Sequence, residues 1–188
     1  MFERGFKTWC EQYAAKKRAE LGLSSSAPLD PLKLATNLGI KVVKPENIPG
    51  IATETLRTLL KNDNKTPSCW SAVTVVEAAT TVVVLNSSHS PGRQASDLMH
   101  ELSHIVLGHK AQEMSVSGAG LMLLKDYDKE QEEQADWLSG CLLLPREALV
   151  FIKRRRIDIS AAAAQFGVSQ RMLTYRLAMT GVNRQFTS

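Results

Sequence analysis

Two histidines four residues apart, with a glutamate beside the first, stand inside an amphipathic helical pattern: HELSH, residues 100–104 of a 188-residue chain. No other stretch limits the fold as strongly. On an α-helix, positions four apart project from nearly the same face, so His100 and His104 can offer imidazole nitrogens to one ion. Glu101 then points roughly a quarter turn away, beside the ion, where it can hold a water that the metal carries. The apolar positions Leu98, Leu102 and Ile105 share one broad face, and Gly108 marks the helix end. This is the pattern H-E-x-x-H of zinc hydrolases, in which Zn2+ acidifies a bound water and the glutamate serves as base. A catalytic zinc needs a third protein ligand and one open position. The fold must therefore bring a second element against the HELSH helix.

The candidate element is KEQEEQADWLSGCLLLP, residues 129–145. Glu132 and Asp136 lie four apart and share a face, so Glu132 can ligate while Asp136 accepts the spare N–H of a ligating histidine. Glu133 competes for the ligand role, because sequence does not fix the phase of the helix. Read in isolation, the run Asp126, Asp128, Glu130, Glu132, Glu133 is an acidic solvated face. The pairing with HELSH favours Glu132. Among the remaining histidines, His109 suits either a helix C-terminal cap or the cleft wall, and His89 reads as a loop residue. Cys69 and Cys141 read as small apolar residues, not nucleophiles.

Around these motifs the chain alternates between helical and extended patterns. Residues 2–20 read as a helix, with Phe2, Phe6, Trp9 and Tyr13 at three-to-four spacing, followed by the linker SSSAPLDP and a short helix ending at Gly39. KVVK is a short strand, and Trp70–Val76 and Thr80–Leu85 are Val/Thr-rich strands that form a hairpin. Residues 111–127 show no period and read as loop with some helix. No apolar run approaches the length of a membrane span, and the charged N-terminus is no secretory signal. Three cysteines without a CxxC pair predict no disulfide framework and a reducing cytoplasm. The formal charge of +4 is uneven, since residues 146–188 carry eight Lys/Arg against two acids. A polyanionic partner would bind there.

HELSHIVLGH followed by EEQADWLSGCLLLP resembles the ImmA/IrrE family of zinc metallopeptidases over roughly residues 30–180. That family pairs a HExxH helix with a later E-x-x-A-[DN]-x-[FW] helix. The strands ending in Asn86, and Arg93 ahead of the histidines, also fit. The resemblance implies His100, His104 and Glu132 as Zn2+ ligands and Glu101 as the catalytic glutamate. Trp137 stands where phenylalanine is usual, and Ser139-Gly140-Cys141 replaces an alanine-rich stretch with other small residues. The expected fold is α+β: a mainly helical zincin-like metallopeptidase domain with a small β-sheet and a C-terminal helical, helix-turn-helix-like segment. The expected divisions are an N-terminal helix and linker (1–26), the peptidase domain (27–150) and a basic helical segment packed on or appended to it (151–188).

In that last segment, ISAAAAQFGVSQRMLTYRL reads as helix, turn at Phe166-Gly167-Val168, and a second helix capped by Ser169. As a DNA reader it would present Gln170, Arg171 and Thr174 to bases. The stronger expectation is that these helices complete the peptidase domain, and a third is that they dock the protein substrate. The resemblance implies a narrow-specificity peptidase that cleaves a helix-turn-helix repressor of a mobile element, phage or stress regulon. Tyr127 or His109 would donate to the oxyanion. The alternative class is a non-catalytic DNA- or protein-binding module of a phage or toxin–antitoxin operon.

Overall fold

The computed structural model describes residues 2–63, 67–68, 70–77, 80–109, 114–116, 122–124 and 128–186. Eight helices and five strands are defined among them: α1 (Phe6–Glu20), α2 (Pro31–Asn37), β1 (Lys41–Val43), α3 (Thr53–Leu59), β2 (Ala72–Glu77), β3 (Thr80–Leu85), α4 (Pro91–Leu107), β4 (Met114–Val116), β5 (Met122–Leu124), α5 (Lys129–Leu143), α6 (Arg146–Arg154), α7 (Ile159–Phe166) and α8 (Gln170–Met179). The architecture is α+β and mainly helical, as expected. Within 111–127, read from sequence as loop with some helix, the described residues form the antiparallel ladder β4–β5. Strands of three residues are too short to show a period.

The sheet positions the site. Its order is β1-β3-β2, with β1 parallel and β2 antiparallel to β3. Side chains directly opposite on an antiparallel pair share a face. Thr74 pairs with Val83, and Ala72 with Leu85. Val83 and Leu85 are buried in the core beneath α4, so Thr74 must face α4 as well. Pro91 in the first turn starts α4, and Gly108 in the left-handed region (φ 66°) ends it. Asp128 caps α5 by accepting from the N–H groups of Glu130 and Gln131. The two helices pack directly together, and α1 lies along α5. Buried Leu98, Leu102, Ala135, Leu138 and Leu142 are part of the apolar interior at this junction.

Two arginines are buried as fasteners. Arg18 donates to the carbonyls of Leu142 (2.7 Å), Ala27 (3.0 Å) and Ala14 (3.3 Å), tying α1 to the linker and to the end of α5. Burial pulls its pKa down to about 10, against the opposing charges of Glu11 and Glu147. The face that α1 buries is Cys10, Ala14 and Arg18. The aromatic row Phe2, Phe6, Trp9 and Tyr13 runs beside that face, with Phe2, Phe6 and Tyr13 packed partly against the core and Trp9 40% exposed.

Arg176, counted in the sequence with the basic tail, is 2% exposed. It pairs with Glu11 at 2.8 Å and donates to the Leu144 carbonyl. Gly140 makes the room, because a Cβ there would meet Arg176 Cδ at 2.9 Å. Removing one partner of a buried pair strands the other, so Arg176→Leu should cost about 3 kcal/mol in denaturant unfolding. The double variant Glu11→Gln/Arg176→Leu should recover part of that loss.

Candidate metal centre

Three side chains from two helices converge at the α4–α5 junction. Nε2 of His100 and Nε2 of His104 lie 2.9 Å apart. Glu132 on α5 brings Oε2 to 3.2 Å from His100 Nε2 and Oε1 to 3.4 Å from His104 Nε2. All three residues are partly buried, and they form a His–His–carboxylate group with the spacing of a metal site. Glu133 does not join them. It is exposed and faces Lys129 at 3.7 Å. The phase left open by sequence is thus resolved by which side of α5 packs inward, since buried Ala135 follows Glu132 by three positions.

The donor set fits a small dication. Tetrahedral zinc with bonds of about 2.0–2.1 Å needs roughly 3.4 Å between ligand atoms, close to the three edges observed. The protonation pattern fits as well. Asp136 Oδ1 lies 3.0 Å from His100 Nδ1, so that nitrogen carries a proton, and in the neutral ring Nε2 presents its lone pair to the cluster. Burial pushes the His100 pKa down, but the hydrogen bond and charge of Asp136, with Glu132 and Glu101, outweigh it and leave it raised. Burial and the neighbouring rings of His100 and His109 push His104 down to about 4. Its ring is therefore neutral and able to ligate. Lone pairs converging on one point repel each other unless a cation sits among them.

Glu101 stands beside this group, not in it. Its Oε2 accepts from Thr74 Oγ1 at 2.5 Å. Burial drives its pKa up, against the pull of the Thr74 bond and of His100. A carboxyl so raised moves towards the range in which a general base works at neutral pH.

His109, unassigned by sequence, has both ring nitrogens engaged, with His104 Nδ1 at 2.9 Å and Gln134 Oε1 at 3.0 Å. It therefore has no free N–H to offer an oxyanion. Tyr127, the other donor considered, lies outside the described residues. His89 sits in a loop yet is 5% exposed, with Nδ1 3.4 Å from Asp97. Sequence reasoning missed Thr74 and Gln134. A lone threonine in the run AVTVVE was the one signal for the former, and nothing marked the latter. Gln170, Arg171 and Thr174 are exposed on α8.

A small sheet laid over a HExxH helix, with a carboxylate from a second helix closing on its histidines, defines a metallopeptidase-type domain of the zincin kind. The chain belongs to the peptidase M78 family, described as the IrrE N-terminal-like domain, whose model matches residues 35–178. It is also similar in fold to a Mycobacterium tuberculosis transcriptional regulator, with a TM-score of 0.54 and 18% identity. That similarity covers 94% of this chain and 47% of the regulator, so the chain spans about half its length. No curated protein matches the sequence. Among the described residues no helix is long and apolar enough to cross a membrane.

Proposed function

We propose that this chain is a zinc-dependent endopeptidase of narrow specificity. In this reading His100, His104 and Glu132 hold the ion, Asp136 orients His100, and Glu101 is the catalytic base. The observation that carries it is the tight His–His–carboxylate triangle with a second, partly buried carboxylate anchored just outside it. Bound zinc would polarise the scissile carbonyl and acidify the attacking water. Glu101 takes a proton from that water and delivers it to the departing amine, ending the cycle as a carboxylate. Thr74 occupies Oε2 and leaves Oε1 for the proton. Thr74→Val should therefore lower kcat by about 10-fold, with Thr74→Ser restoring most of it.

A peptide substrate suits the surroundings. Strand β2 pairs only with β3 among the described strands, so its outer edge offers N–H and C=O groups to an extended chain beside Thr74. Membership of the IrrE-like family supports a helix-turn-helix repressor as the protein cleaved. The buried free thiols Cys10 and Cys141 favour a reducing cytoplasm. Exposed Gln170, Arg171 and Thr174 on α8, and exposed Arg154, Arg155 and Arg156 at the end of α6, supply polar and basic groups suited to docking that repressor or its DNA. Arg171→Ala should weaken such a complex and flatten its salt dependence.

The direct test is to load the purified protein with zinc and incubate it with repressors encoded beside its gene. Mass spectrometry should find one cut, stopped by a chelator and restored by zinc. A fully loaded protein that binds such a repressor without cutting it would transfer the reading to a non-catalytic regulatory module.

A further inference from the structure

His109 touches two groups of different kind. Its Nδ1 faces Nδ1 of His104 at 2.9 Å, and its Nε2 faces the amide oxygen of Gln134 at 3.0 Å. An amide oxygen can only accept. His109 therefore carries its proton on Nε2 and donates it to Gln134. In a neutral ring the other nitrogen is then a lone pair, so the hydrogen between the two rings belongs to His104 Nδ1. That assignment bares His104 Nε2, the atom facing His100 and Glu132. The reverse order fails at both ends. It would set a lone pair of His109 against the amide oxygen and drive a proton on His104 Nε2 into the cluster.

We propose that Gln134 and His109 are positioning residues that fix the tautomer of His104 and so make it a metal ligand. This rests on the metal reading above and adds to it a second outer partner. The two histidines are held unequally. His100 leans on the carboxylate of Asp136 at 3.0 Å, whereas His104 leans on a neutral ring that leans in turn on an amide. A carboxylate partner makes an imidazole a more basic ligand than a neutral acceptor does, so ligation by His104 depends more on its partner's orientation.

The backbone supports the arrangement. Gly108 turns the chain out of α4 at φ 66°, and the N–H of His109 then bonds the His104 carbonyl at 3.1 Å. Gln134 comes from the same helix as Glu132 and Asp136. One element thus contributes a ligand, a partner for His100 and, through His109, a partner for His104.

The test pairs zinc affinity, measured by competition with a chromophoric chelator, with 15N spectra of the histidine rings in metal-free protein at alkaline pH. Wild type should show His104 protonated at Nδ1 and His109 at Nε2. Gln134→Met and His109→Phe should bind zinc about 10–100-fold more weakly. Gln134→Glu, which still accepts, should bind at least as tightly as wild type. Wild-type His104 protonated at Nε2 would overturn the proposal. So would zinc affinities within twofold of wild type in both Gln134→Met and His109→Phe, or a tenfold loss in Gln134→Glu. Thermal melts of the metal-free proteins identify any variant that fails to fold, and the wild-type tautomers with Gln134→Glu then decide. Should wild type bind no zinc, the metal reading falls, while the ring tautomers still judge the relay by themselves.

Discussion

Glu132→Ala should leave a folded protein that no longer retains zinc. In the proposed site Glu132 is the one ligand from α5, and it contacts both histidines, at 3.2 and 3.4 Å. Zinc held by four protein ligands is bound by roughly 10–16 kcal/mol, so one ligand accounts for about 3–4 kcal/mol, or roughly 10²–10³-fold in affinity. The side chain is partly exposed at 23%, and alanine is a good helix former, so the truncation opens no core cavity. Metal analysis of the two proteins after gel filtration measures this directly. The expected result is about one zinc per wild-type chain and far less in the variant. Glu133→Ala makes the paired control, because Glu133 faces Lys129 and should leave zinc content unchanged. Equal zinc in wild type and Glu132→Ala would remove the three-ligand site.

The second large effect separates catalysis from binding. Glu101→Gln swaps a carboxylate for an amide of the same shape, and its amide oxygen can still accept from Thr74. What it loses is the capacity to take a proton. A general base of this kind contributes about 10²–10⁴-fold, so cleavage should fall by that amount. Zinc content and repressor affinity should stay as they were, since Glu101 is not among the three ligand atoms. A variant that cuts as fast as wild type would take the base role from Glu101. A protein whose repressor binding and regulation survive the substitution intact would be a binding module.

Some of this was open to inspection in the sequence. The HELSH helix, its end at Gly108 and the Val/Thr strands are local patterns, set by the 3.6-residue and two-residue repeats of helix and strand. Asp136 as a partner for a histidine followed from its four-residue offset from Glu132. The choice between Glu132 and Glu133 did not, because a run of acids reveals no phase until the buried side of α5 is known. Arg176 misled for a related reason. Charge counting assigns every arginine to the surface, whereas Gly140 leaves a space that admits this one to Glu11. The aromatic row of α1 had helical spacing but lies beside the buried face of Cys10, Ala14 and Arg18.

Thr74, His109 and Gln134 belong to a different category. Thr74 reaches Glu101 because β2 pairs with β3 in one register, and a slip of one residue would turn it to the other face. His109 becomes a partner of His104 only because the left-handed Gly108 folds it back and α5 presents Gln134 at its far nitrogen. The sequence alone determined that this chain carries two histidines and a glutamate on one helix and acidic groups on a later one, because helical geometry is local. Tertiary structure alone decided which carboxylate closes on the histidines, what hydrogen-bonds Glu101 and which neighbour faces each ring nitrogen. Those outcomes depend on faces of distant elements meeting at hydrogen-bond distance, and no repeat along the chain encodes them.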